Sequence, residues 1–238
     1  MNKRATAIFA VAVLVALIPA VSSALAPYSQ DFEGLVQADP DALANDGWLV
    51  FGNVFGLDWS YWYGYGPFAA PNTGAAFCAI AAGEGGPDQG LQQLVVFSDY
   101  ENADHPSAYI ESNVFQEQMI DPVDVGAIYA FSFQAKLGNI EGSSTAAAFI
   151  KTLDPDDNYN TTNFITVDMT AIPTTWADYS LMIEIDGSLP GQILQIGFAN
   201  TATNYDGSGV FYDNVNFYDE GGVSVETRSW DGVKSLFR

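Results

Sequence analysis

Between residues 27 and 219 the apolar positions show almost no helical spacing. Short runs rich in β-branched and aromatic residues alternate with clusters of Gly, Pro, Asn and Asp, the pattern of strands and turns. The runs predict strands at Tyr28–Phe32, Trp48–Phe51, Ala75–Ala81, Gln93–Phe97, Tyr109–Gln116, Ile128–Lys136, Ala146–Leu153, Phe164–Met169, Ala177–Ile185, Ile193–Phe198 and Val210–Tyr218. In several the alternation is strict. Tyr129, Phe131 and Phe133 share one face, opposite Ser132 and Gln134; Tyr179, Leu181, Ile183 and Ile185 oppose Ser180 and Glu184. Strands with one apolar face pair antiparallel and bury that face against a second sheet. The expected fold is all-β, a two-sheet antiparallel β-sandwich. There is no internal repeat.

Both ends depart from this pattern. Lys3 and Arg4 precede an apolar run from Ala7 to Ile18, too short to cross a hydrocarbon core of roughly 30 Å comfortably. Pro19 follows, then Val21-Ser22-Ser23-Ala24-Leu25-Ala26, which offers small residues for a leader peptidase after Ala24 or Ala26. Cleavage after Ala26 leaves Pro27 at the new terminus, a poor fit for a protease, so Ala24 is favoured. The expected organisation is a leader over 1–24, a sandwich over 25–219, and a linker with a short tail over 220–238. No later stretch is long and apolar enough to be a transmembrane segment, and no cysteine near the junction offers a lipid attachment point. The protein is expected to be exported, to the extracellular space or the cell surface. After Asp219-Glu220-Gly221-Gly222, basic residues return at Arg228, Lys234 and Arg238, and Trp230, Val233 and Phe237 share one helical face. That segment reads as a sorting or surface-attachment tail, or as a frayed end or edge strand.

Charge narrows the partners. The chain carries 7 basic and 29 acidic residues, a formal charge of −22. Loss of Lys3 and Arg4 with the leader takes it to −24. Such a surface repels phosphate backbones, which excludes nucleic acid, and it disfavours anionic polysaccharides unless a divalent cation bridges the charges. Cys78 is the single cysteine and lies in an apolar run, so no intrachain disulfide forms and a buried structural thiol is expected.

Asp31-Phe32-Glu33-Gly34, Gly47-Trp48, the run Gly126 to Lys136, Thr174-Thr175-Trp176-Ala177-Asp178-Tyr179-Ser180 and Gly209-Val210-Phe211-Tyr212-Asp213-Asn214-Val215 follow one another in a particular order. In order and spacing they resemble the galactose-binding-like jelly rolls, especially carbohydrate-binding modules of families 4 and 9. The likeness spans residues 28–218, although the stretch from Asn53 to Asp104 is longer and more aromatic than in that family. The resemblance implies a jelly-roll sandwich that binds a polysaccharide or other glycan, with a structural calcium between the first and last strands.

The residues themselves supply two candidate sites. In the last strand, alternation places Asp213 on one face with Phe211, Val215 and Phe217, a costly position for an unpaired carboxylate in a chain so poor in cations. A calcium ion, taking oxygen ligands, would resolve it. Glu33 and Asp213 match the family's calcium motif, with Asp31 as a further candidate. Asp154, Asp156 and Asn158 imitate an EF-hand, but Tyr159 stands where Gly is needed and Ile165 where Glu is needed, so that loop is rejected.

The second candidate is Asp58-Trp59-Ser60-Tyr61-Trp62-Tyr63-Gly64-Tyr65. If extended, it sets Trp59, Tyr61, Tyr63 and Tyr65 on one side at intervals of about 6.6 Å, with Trp62 on the other. Aromatic faces stack on sugar rings. The same ladder would equally serve a sandwich core. His105, the single histidine, lies in no nucleophile motif, and carboxylates such as Glu84, Glu111, Glu117 and Glu184 are available for glycoside hydrolysis without any spacing that shows which converge. The function expected is a secreted, non-catalytic module binding a neutral glycan. A structural or adhesive surface protein is the alternative, and a jelly-roll hydrolase or lyase a lesser one.

Overall fold

The computed structural model describes residues 24–73 and 77–221. The leader up to residue 23, the tail from 222 and the first residues of the expected Ala75–Ala81 strand lie outside the described residues.

The chain is an all-β sandwich of two antiparallel sheets. Its strands are β1 (Tyr28–Gln30), β2 (Leu49–Gly56), β3 (Tyr61–Ala69), β4 (Cys78–Ala82), β5 (Gln92–Val96), β6 (Ala108–Met119), β7 (Ile128–Ile140), β8 (Thr145–Asp154), β9 (Asn160–Asp168), β10 (Ala177–Glu184), β11 (Ile193–Ala202) and β12 (Ser208–Asp219). A single helical turn, α1 (Ala42–Asn45), precedes β2. One sheet runs β10-β7-β12-β5-β4, with β1 also on β12; the other runs β3-β2-β6-β11-β8-β9. β3 is the strand that the sequence pattern left conditional.

Between the sheets the alternating apolar faces meet. Tyr129, Phe131, Phe133, Leu181 and Ile183 are buried as their periodicity requires. Trp48 stacks on Phe198, and Phe198 stacks on Tyr212 at 3.6 Å between ring centroids. Cys78 is fully buried, and burial pushes its thiol well above the ordinary range, so it is a packing group. The Asp154 loop is a local turn in which Asp154 Oδ1 accepts from Asp156 N at 2.9 Å.

The last strand departs from simple alternation. Pairing with β7 shifts register between Asp213 and Asn216, and Asn214 takes a left-handed φ of 48°. This bulge turns Val210 and Tyr212 inward on one side of it and Val215 and Phe217 inward on the other. Phe211 therefore lies outside, beneath Lys136. Asp213 shares that outer face with Phe211, whereas Val215 and Phe217, which strict alternation had put with them, turn inward. β5 pairs with Val210–Tyr212 and β1 with Val215–Phe217 along one side of β12, so Asp213 and Asn214 occupy the gap between those two strands.

Candidate functional site

The outer face of the second sheet is built from aligned rows. Strand register sets Tyr61 beside Phe55 and Phe55 beside Tyr109; the next row runs Gly64, Asn53, Glu111, Thr201 and Thr145. A further row carries Phe51, Asn113, Ala199, Ala147 and Asp168. Small side chains at Ala147, Ala199 and Thr201 make a depression here. Trp59 and Phe164 line it with Glu111, Thr166 and Asp168, giving a cleft of about 390 Å³. Apolar clefts with a few convergent polar groups are the usual form of a small-ligand site.

The polar groups are held in place. Glu111 Oε1 accepts from Asn53 Nδ2 and from Asn113 Nδ2, both at 2.8 Å. Lys151 Nζ lies 4.9 Å from the Phe149 ring centroid and 6.0 Å from that of Phe164. Burial lowers the Lys151 pKa, and the charge of Glu111 acts in the opposite direction.

Trp59 is the feature of the face that the sequence had singled out. It is 53% exposed, and its ring lies on Tyr109 at 4.4 Å with 13° between planes. A tight turn delivers it: Trp59 N donates to Gly56 O at 2.8 Å, and Trp59 itself takes φ 63°. Asp58 belongs to that turn. Its Oδ1 accepts from Ser60 N and Ser60 Oγ, and those bonds lower its carboxyl pKa.

The remaining aromatics do not form the single ladder expected of Trp59, Tyr61, Tyr63 and Tyr65. A register shift between Val54 and Phe55 inserts Trp62 as an unmatched residue and reverses the alternation. Tyr61 stays on the outer face against Phe55, with ring centroids 5.8 Å apart. Tyr63 and Tyr65 pair instead with Val54 and Gly52, on the opposite face. Tyr63 OH donates to Asp104 Oδ2 at 2.7 Å and Tyr65 OH to Asp99 Oδ2 at 2.9 Å. The bond to Asp104 raises the Tyr63 phenol pKa, and burial raises that of Tyr65. Trp62 is also exposed, its indole nitrogen near Gly56. Most of this segment therefore meets solvent rather than the core, with Tyr65 half-buried.

Tyr109, Asn53, Asn113, Phe164 and Lys151 were not singled out from sequence, and Glu111 was named only among many acids. The polar positions alternating with buried ones in β2 and β6 were a visible sign. Only the pairing register brings Asn53 beside Glu111.

The calcium candidates are arranged differently from a carboxylate cage. Among the described residues no three His, Cys, Asp or Glu side chains gather to hold a metal. Glu33 Oε1 accepts from the backbone N–H of Leu91 and of Gln92, both at 2.6 Å, and so anchors the start of β5. Asp31 is exposed, and its Oδ1 accepts from Glu33 N at 3.1 Å. Asp213 is fully buried in the β1–β5 gap. Burial, with the charges of Asp31 and Glu33 added, pushes its pKa up to about 7, although its bond from Asn214 N opposes the rise. Asp213 Oδ2 and Gln89 Oε1 are both buried without a hydrogen-bond partner, although the Gln93 side chain also acts to lower the Asp213 pKa. Gln89 Nε2 donates to Gln134 Oε1, which also receives Asn214 Nδ2, so the two oxygens belong to one polar cluster. Among the described residues Asp213 has no ion pair with a cationic side chain, and an orphaned carboxylate oxygen is the type of donor that a hard cation takes.

His105 stacks between Tyr100 and Tyr205. Its Nδ1 accepts from Tyr205 N at 3.2 Å, which leaves the ring proton on Nε2, facing Ser98 Oγ at 3.2 Å. Ser98 Oγ in turn donates to Ile110 O at 2.7 Å. A base must accept the serine proton, and here the imidazole donates.

No protein-family model matches this chain, and no curated protein does. Solved structures similar to it include the enzymatically active domain of bacteriophage CBA120 tailspike protein 4, at 13% identity and TM-score 0.47, over 78% of this chain and 21% of that one. Another is the N-terminal CBM22-1–GH10 portion of Clostridium thermocellum endo-1,4-beta-D-xylanase 10B, complexed with xylohexaose, at 13% identity and TM-score 0.41, over 82% and 28%. A third is the CBM22-1 xylan-binding domain of a Paenibacillus barcinonensis protein, at 11% identity and TM-score 0.41, over 83% and 95%. This chain thus spans about a fifth and about a quarter of the first two structures. The chain resembles carbohydrate-binding modules in its β-sandwich fold, and the likeness stops at the fold.

Proposed function

We propose that this chain is a carbohydrate-binding module that seats a neutral glycan across the outer face of the second sheet. One observation carries the reading: an exposed indole, Trp59, lies flat on Tyr109 beside a cleft floored by small side chains. A ring backed by a second ring is a rigid platform for the apolar face of a sugar, and it gives up little conformational freedom on binding. Glu111, Asn53, Asn113 and Lys151 supply acceptors and donors for hydroxyl groups beside it. A neutral ligand suits the acidic chain, whose Glu111 and Asp168 border the same cleft.

The reading includes a structural calcium at Asp213, supported by the orphaned oxygens of Asp213 and Gln89. In that role the ion would join the β1, β5 and β12 segments and take no part in glycan recognition. In the same reading the leader seen in the sequence would send the module outside the cytoplasm.

Affinity electrophoresis and calorimetry against a panel of soluble neutral polysaccharides test the proposal. The protein should be retained by at least one. Trp59→Ala should weaken that binding by about tenfold or more, as expected for a central aromatic contact, with an unchanged melting midpoint. Tyr65→Phe, which alters the other face, should bind as the parent does. Retention by none of the polysaccharides, or undiminished binding by Trp59→Ala, overturns it.

A further inference from the structure

Asp124 is 1% exposed, yet among the described residues it has no ion pair with a cationic side chain. Among the described residues the basic side chains are Lys136, Lys151 and His105. Lys136 pairs with Glu84, Lys151 lies over Phe149, and His105 bonds Ser98 and Tyr205. The Asp124 carboxylate is met by neutral donors. Its Oδ1 accepts from Leu25 N at 2.9 Å and Tyr129 OH at 2.8 Å, and its Oδ2 accepts from Asp121 N at 2.9 Å. A buried carboxylate with no opposite charge is costly.

The chain enters the fold at this point. Ala24 is exposed, whereas the Leu25 side chain is 5% exposed and joins the main core. Ala26 is clamped from both sides of its peptide: its N–H donates to Gln118 Oε1 at 2.7 Å, and its carbonyl accepts from Gln118 Nε2 at 2.9 Å. The nitrogen of Leu25 is therefore the atom at which an added positive charge would neutralise Asp124.

We infer that the mature chain begins at Leu25 and that its new α-ammonium forms a buried ion pair with Asp124. A leader peptidase hydrolyses the Ala24–Leu25 peptide bond. Water supplies the hydroxyl that stays on the Ala24 carboxyl and a proton to the amine, and the amine takes a further proton from solvent to become the ammonium. Cleavage two residues later would remove Leu25 from the core and leave Asp124 without that partner. Processing thus completes the fold as well as releasing the leader. Leu25 is buried once the sandwich closes, so the cut comes before closure.

The charge can be isolated experimentally. N-acetylation of Leu25 replaces the Ala24 carbonyl and keeps the N–H donor to Asp124, removing only the positive charge. At pH 7 the free-amine chain should melt about 2–4 °C above its acetylated form. An amine held by a carboxylate has its pKa raised above the ordinary value of about 8, so its contribution is complete below that pH. It is lost as pH rises through the raised pKa, and the gap should close toward pH 10. The groups facing the amine are Asp124 and Tyr129, with the Asp121 backbone behind and Asp219 near Tyr129. Burial and the Asp124 bond push the Tyr129 phenol above this window. Asp124→Asn should abolish the gap. Sequencing of the exported protein should read Leu25 first. A terminus at Pro27 or an uncleaved leader, a gap that is absent or independent of pH, or a gap that survives Asp124→Asn overturns the inference. If Asp124→Asn does not fold, the terminus and the pH-dependent gap decide it.

Discussion

Asp213 holds a carboxyl whose pKa is pushed up to about 7, against an unfolded value of about 3.9. The folded state keeps its proton over a range in which the unfolded chain has lost it. Metal-free stability should therefore fall as pH rises from about 4 to about 7 and then level off. In chelator the melting midpoint should drop by several degrees between pH 5 and pH 7.5, and calcium at neutral pH should restore it. Asp213→Asn should flatten the pH profile and remove the response to calcium. A midpoint at pH 7.5 that ignores both chelator and calcium would rule out a stabilising ion. The awkward position of this residue was readable in the sequence, because a carboxylate fell among apolar neighbours in a chain with few cations. Its surroundings were not. Gln134 comes beside it, and the Gln93 side chain acts on it, only through the pairing of β12 with strands distant in sequence.

Strands were legible wherever alternation ran unbroken, as in β7 and β10, since period-two burial is fixed by backbone geometry. Bulges were not legible, and they decide the site. One unmatched residue, Trp62, sends Tyr63 and Tyr65 to the face opposite Tyr61, and the bulge at Asp213–Asn214 turns Val215 and Phe217 away from the face that Phe211 and Asp213 share. Gly52 shows how closely β2 and β3 are fitted: a Cβ there would lie within the Tyr65 ring. Gly52→Ala should dislodge Tyr65 from Asp99 and cost about 1–3 kcal/mol, as overpacking does. Gly34→Ala, where a Cβ meets nothing within 4 Å, should be nearly neutral by the same denaturant titration. Equal midpoints for the two variants would contradict that fit.

At the scale of the molecule, a sequence of period-two runs separated by turn residues leads to two packed sheets with little ambiguity. The placement of charge is less predictable. The two lysines of the described residues both sit over aromatic rings: Lys136 over Trp176 and Phe211, Lys151 over Phe149 and Phe164. One of them lies on the proposed glycan face, so a strongly acidic protein keeps a scarce cation where hydroxyl groups are to be received.

β3 lies at the edge of its sheet and is bonded to β2 alone. Its outward amides have no strand to shield them, so this segment should exchange hydrogen for deuterium sooner than the strands behind it. A glycan spanning β3, β2 and β6 would couple that loose edge to the rigid centre. Deuterium uptake over Tyr61–Ala69 should fall on adding a retained polysaccharide, with no change over β4 and β5. Recognition would then be recorded as the quieting of an edge that is otherwise among the first parts of the sandwich to open.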